Sequence, residues 1–221
     1  MNRTTAAQSF SVSLTVGAYG IAFGAASVAA GFSVLQTCFL SLLTFTGASQ
    51  FAVIGVLGAG GTPINGIVAA SLLGLRNTLY GIRMTPVLKV KGFRKVVAAQ
   101  ITIDESLGVS LSQEKLGLKA MRQGFWLTGV GVFIFWNLFT LAGAYGAQAL
   151  GNPSAWGLDA AVPAAFLGLL WPRLNSKLDR LLVIAAGSLA LLMTPYFVPG
   201  FPIIATSVLA VLFGLRANLW K

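Results

Sequence analysis

Arg76, Tyr80 and Arg83 recur at i, i+4 and i+7 within SLLGLRNTLYGIRMTP, the stretch from Ser71 to Pro86. On a helix that spacing puts all three on one face. The apolar segment around them begins near Ile64 and stops at Pro86. At 1.5 Å of rise per residue, Arg76 lies roughly 15 Å from that end, near the middle of a hydrocarbon core about 30 Å thick. Arg83, less than a turn from the end, snorkels to the headgroups. Arginine cannot shed its proton to escape a dry site, so a midplane position demands water, an anion or a polar cavity. Two readings follow: Arg76 receives an anionic group of a substrate, or carbonyls of neighbouring helices hold it with no ligand at all.

Two further stretches carry polar chemistry. The segment TFTGASQF places Thr44, Thr46, Gly47, Ser49 and Gln50 in the middle of an apolar run. Gln50 offers both donor and acceptor, and Gly47 frees the backbone from regular helix. The span either breaks there or stays intact with its hydroxyls bonded back to their own helix. Asp104 and Glu105 stand side by side and supply two of the five acids in the chain. They sit in residues 96–119, which are too polar for a span and in places too apolar for a plain loop. That connector is either a solvated cytoplasmic helix or a re-entrant one that presents its carboxylates to a cavity.

The rest of the composition says where such groups must reside. Of 221 residues, 56% are hydrophobic and 9% charged, against about 25% charged in a soluble domain. The expected fold is therefore all-α: a polytopic helical membrane protein, a single domain over 1–221. The net charge of +10 lies in gaps between apolar runs and does not imply nucleic acid. There is no histidine and one cysteine, Cys38, so disulfide frameworks and His- or Cys-based metal sites are excluded by counting. No cofactor is expected. No HExxH, nucleophile elbow or phosphate-binding loop is present either, so an enzyme is not expected.

Seven spans are expected, over about 11–30, 34–57, 64–86, 125–150, 158–171, 181–196 and 203–215. Gly20 and Gly24 in the first form a small-xxx-small pair that lets another helix approach, and the small-residue faces of spans one and four could accept helices from a second chain. The N-terminal apolar stretch, Phe10 to Gly31, is too long for a signal h-region and reads as a retained span. Eight Lys and Arg between Arg83 and Arg122, with Arg173, Lys177 and Arg180 later, mark cytoplasmic loops. The N-terminus is thus expected outside and the C-terminus inside, against the weak signal of Arg3. Spans one to three then run opposite to spans four to six, as an inverted repeat requires, over about 9–86 and 121–200 with a connector at 87–120. The second span of each trio is disrupted, by Gly47 to Gln50 in one and by Pro163 in the other. Paired broken segments point to a midplane binding site.

GASQFA at 47–52, LRNTLYG at 75–81 and IDES at 103–106 together resemble the signature regions of AzlC-type proteins. These are the large subunits of two-component branched-chain amino acid exporters. The resemblance covers about Gln8 to Leu212 and implies export of leucine, isoleucine and valine, with methionine a further substrate, across a bacterial inner membrane. It also implies a small AzlD-like membrane partner. The family pattern often has His after the arginine, where this chain has Asn77, so histidine-based coupling is not carried over. The expected substrate-binding residues are Ser49, Gln50, Arg76, Asn77 and Tyr80, with Asp104 and Glu105 in coupling or gating. The rival from another class is a membrane scaffold that transports nothing.

The topology is open to a direct check. In a Cys38→Ala background, a membrane-impermeant thiol reagent added outside should label Asn152→Cys and leave Lys91→Cys unlabelled. Labelling of Lys91→Cys would reverse the orientation.

Overall fold

The computed structural model describes residues 2–151, 155, 157, 160–171 and 174–218. The Asn152–Pro153 turn, the fifth span's expected start at Leu158, its stop at Pro172, Arg173 and Lys221 lie outside the described residues. Every regular element among the described residues is helical. In order they are α1 (Arg3–Ala29), α2 (Val34–Leu43), α3 (Ala48–Gly58), α4 (Pro63–Leu88), α5 (Phe93–Gln100) and α6 (Asp104–Ser112). A 3-10 turn at Glu114–Leu116 leads to α7 (Leu118–Ala149), followed by α8 (Ala161–Leu170), α9 (Lys177–Met193) and α10 (Phe201–Asn218).

The chain is an all-helical membrane protein. By length and apolarity alone, α1 and α7 each suffice to cross a bilayer, while α2, α3 and α10 are shorter apolar helices. Both long helices start seven or eight residues before the apolar runs at Ser11 and Phe125. Caps rather than hydropathy set those starts. Asn2 accepts from the Thr4 and Thr5 amides at the head of α1, and Gly117 turns the chain with φ +86° ahead of α7. Helix α4 likewise runs past Pro86 to Leu88, since a proline in the last turn forfeits only one hydrogen bond. At the helix end, where carbonyls lack intrahelical donors, that of Val87 accepts from Arg122 Nε at 2.7 Å.

Helices α1 and α7 form the most extensive helix pair in the molecule. Glycine makes this contact possible, because without Cβ atoms the two backbones approach directly. A Cβ on Gly24 would meet the Thr140 carbonyl and lie 2.7 Å from the Ala144 nitrogen. Gly143 is in the same position against Ile21, and Gly131 against Ser13. The small residues Gly17, Gly20 and Gly24 of the first span are thus used within the chain, on α7.

The second span is interrupted, with α2 ending at Leu43 and α3 beginning at Ala48. Residues 96–119 are exposed at Val96, Ala99 and 114–119 and buried in the middle. Ile101, Thr102 and Ile103 are all buried, and α6 packs along α7 through Ser106, Val109 and Ser110. The connector doubles back along α4, from its end at Leu88 to the level of Arg76. Irregular backbone at that depth is tolerated because protein surrounds it.

The glycine contacts give a matched pair of predictions. Gly24→Ala should destabilise the protein by about 1–3 kcal/mol, as overpacking does in a close-packed interior. Gly81→Ala, on α4 with nothing within 4 Å of the new Cβ, should be neutral or slightly stabilising. Thermal melting of the two purified variants should separate them clearly.

Candidate functional site

A helix broken in the middle of a span exposes carbonyls at one new end and amides at the other. At the α2 end the carbonyls are met by protein groups. Gln50 Nε2 donates to the Leu40 and Ser41 carbonyls at 3.2 and 3.3 Å. Gln100 Nε2 donates to those of Leu42 and Leu43 at 2.9 and 3.4 Å. Thr44 Oγ1 donates to Leu40 O as well. At the α3 end the arrangement is different. Gly47 turns the chain at φ +62°, ψ −89°, a conformation that favours glycine. No side chain caps the first turn of α3.

That uncapped turn borders a cavity of about 250 Å³. Thr46, Gly47, Ala48 and Phe51 line it from the break, Leu73 and Arg76 from α4, and Val16 and Tyr19 from α1. Ile103, Asp104 and Glu105 close it from the connector, with Val132 and Trp136 from α7 and Phe166 and Leu170 from α8. Most of the wall is apolar. Phe51 stands at its centre, edge-on to Phe166 at 6.1 Å and to Trp136 at 6.4 Å between ring centroids. Trp136 Nε1 is a buried donor with no acceptor among the described residues.

An ion pair lies in this mostly apolar setting. Arg76 Nη1 lies 2.8 Å from Asp104 Oδ2, the side chains 30% and 21% exposed. Asp104 and Glu105 occupy the first turn of α6, where the helix dipole favours negative charge. The turn is fixed by Ser106 Oγ, which accepts from the Ile103 amide at 3.0 Å. The two half-buried charges thus pair with each other at the cavity. A carboxylate and a guanidinium held at a cavity wall, beside an uncapped helix N-terminus, can bind small charged groups of either sign.

The structure brings Arg76, Asp104 and Glu105 together at the cavity and puts the other expected residues around it. Ser49 is buried against α4, with its Oγ 3.5 Å from where a Cβ on Gly74 would sit. Gln50 is fully buried and faces α2, and its Oε1 has no partner among the described residues. Asn77 Oδ1 is in the same condition on α4. Tyr80 and Asn77 do not line the cavity, and neither do Ser49 and Gln50. Sequence reasoning missed Tyr19, Trp136 and Gln100. Trp136 and Tyr19 lie in glycine- and aromatic-rich spans where no local signal separates a cavity wall from a lipid face. Gln100 carries the one readable signal, a long amide in an otherwise apolar VVAAQI stretch.

The chain is similar to several known proteins. The sequence profile of the family described as "AzlC protein" matches residues 11–150. The "Inner membrane protein YgaZ" of Escherichia coli strain K12 is 26% identical over 207 residues, 90% of this chain and 84% of that one. An "Uncharacterized membrane protein" of Archaeoglobus fulgidus is 30% identical over 176 residues, 76% of this chain and 74% of its own. A further "Uncharacterized membrane protein", from Helicobacter pylori, is 26% identical over about half of each chain. No solved structure matches.

The capping of the break yields a stability prediction. Gln50→Leu leaves the Leu40 and Ser41 carbonyls without their side-chain donor, and should lower stability by about 1–3 kcal/mol. Thermal melting should register the loss, and an unchanged midpoint would mean that the two hydrogen bonds contribute nothing net.

Proposed function

Because the chain belongs to the AzlC family, we propose that it is a transporter subunit that exports branched-chain amino acids from the cytoplasm. The observation that carries this reading is the Arg76–Asp104 pair set into a mostly apolar cavity. A branched-chain amino acid has the same composition, one positive and one negative group on a short aliphatic side chain. Phe51, Val132, Phe166 and Leu170 offer an apolar wall for that side chain. Discrimination among leucine, isoleucine and valine should be weak, because one methylene is worth about 1–3 kcal/mol in such a pocket. Methionine fits the same description.

Ser49, Gln50, Asn77 and Tyr80 act in this reading as supports of the cavity wall. Asp104 and Glu105 are its titratable groups and the candidates for coupling export to protons or another ion. The protein works in a bacterial inner membrane with the N-terminus outside, beside a small AzlD-like subunit. The exposed apolar faces of α4 and α9, among them Ile67, Leu75, Leu79, Ile184 and Leu191, offer surface to that subunit and to lipid. A membrane scaffold without transport would have no use for an ion pair at a cavity.

The test is efflux of preloaded labelled leucine from cells making this chain with and without the small subunit. The pair should export and this chain alone should export little. Arg76→Lys keeps the charge and loses the bidentate fork, so export should weaken severalfold. Arg76→Gln should reduce it by about 10- to 100-fold, the worth of a charged hydrogen bond. An abundant, partner-bound Arg76→Gln protein that exports normally would make Arg76 a structural residue.

A further inference from the structure

The two charges at the cavity are in direct contact. The same wall carries the N-terminus of α3, which no side chain among the described residues caps and whose partial positive charge favours an anion. It also carries Glu105, a second carboxylate next to Asp104 in the first turn of α6. The other end of the break is covered, because Gln50 and Gln100 donate to the α2 carbonyls. The cavity wall therefore offers groups that favour an anion, Arg76 and the Gly47–Ala48 turn, as well as groups that favour a cation, Asp104 and Glu105.

We infer that Arg76 and Asp104 form a clasp that a zwitterion replaces. In the structure described here the clasp is closed and each charge neutralises the other. A substrate enters by inserting its carboxylate between Arg76 and the first turn of α3 and its ammonium against Asp104. Both partners of the internal pair then regain an opposite charge, so opening leaves no uncompensated ion. A solute with one charge opens the clasp as well, but strands either Arg76 or Asp104 in a partly buried site, where an unpaired charge is strongly disfavoured. The clasp thus selects for the α-amino-acid group itself, while the apolar wall selects the side chain. Specificity against singly charged analogues arises from the group left unpaired. Trp136 Nε1, buried in the same wall without an acceptor among the described residues, supplies a further donor at the cavity.

This inference rests on the amino-acid reading of the same cavity, and one experiment separates the two. The purified full chain is melted in the presence of leucine, of 3-methylbutylamine (leucine without its carboxylate) and of 4-methylpentanoate (leucine without its amine). Leucine should stabilise the wild type, with each singly charged analogue binding at least about tenfold more weakly. Asp104→Asn should lose leucine and gain 4-methylpentanoate. Arg76→Gln should lose leucine and gain 3-methylbutylamine. A gain of this kind cannot come from misfolding. If either single variant fails to fold, the double variant Arg76→Gln, Asp104→Asn decides, because it strands no charge; it should fold and ignore leucine. Wild type stabilised equally by all three solutes, or leucine binding retained in a folded single or double variant, would overturn the clasp and leave the amino-acid reading standing. Wild type stabilised by none of the three would overturn both.

Discussion

A helix interrupted inside a hydrocarbon layer must find partners for the backbone groups it exposes, and much of this molecule is arranged around that need. The interruption between Leu43 and Ala48 frees carbonyls on one side and amides on the other. Lipid tails offer them no partner. The carbonyls are met by two glutamines, one from the next half-helix and one from the connector fifty residues further on. For Gln100 to reach Leu42 and Leu43, the connector must turn back into the protein. That same return carries Asp104 to Arg76. The capping of a broken helix and the pairing of a midspan charge are thus consequences of one chain path.

The path holds because α1 and α7 form a rigid frame. Their glycines bring the backbones together so closely that a methyl group at Gly24 or Gly143 would overlap the facing main chain. Several hydroxyls buried on or near this frame are satisfied by neighbouring helices, although Ser9 Oγ and Thr128 Oγ1 have no partner among the described residues. Ser13 donates to the Thr128 carbonyl, Thr37 to Ser27, and Thr5 to Gln113. Helix α7 then presents Val132 and Trp136 to the cavity and its earlier turns to α6. The half-helices, the connector and α8 are placed against this frame, whereas α9 buries no residue and packs on α10.

The electrostatic arrangement follows from the asymmetry of the break. Its carbonyl end is covered and its amide end is open, so the cavity receives the positive end of a half-helix dipole beside a guanidinium. The negative counterpart comes from the first turn of α6, where two carboxylates are favoured by that helix's own dipole. Charges of both signs are stable at this depth because Arg76 and Asp104 pair with each other, and the carboxylates also have a helix terminus of suitable polarity. An arginine alone in the same position would need water or lipid headgroups.

The amino-acid sequence by itself determined that this is a helical membrane protein, because apolar runs with charges confined to the gaps have no other stable arrangement. It also marked the polar cluster from Thr44 to Gln50 as a place where the span either breaks or stays intact, and singled out Arg76, since glycine amid polar residues and a permanent charge are anomalies in a hydrophobic span. It misplaced the helix starts at Arg3 and Leu118, which depend on caps that hydropathy does not register. Gln50 read as a substrate donor, because sequence shows that an amide is present and not which backbone it faces. Residues 96–119 could be read as solvated or re-entrant, since a mixed polar and apolar segment suits either until its neighbours are known. Only the tertiary structure decided that Asp104 meets Arg76, that Gln100 caps α2, and that the glycines of α1 are used on α7. Each of these joins residues far apart in the chain, and periodicity carries no information about which distant groups will share a site.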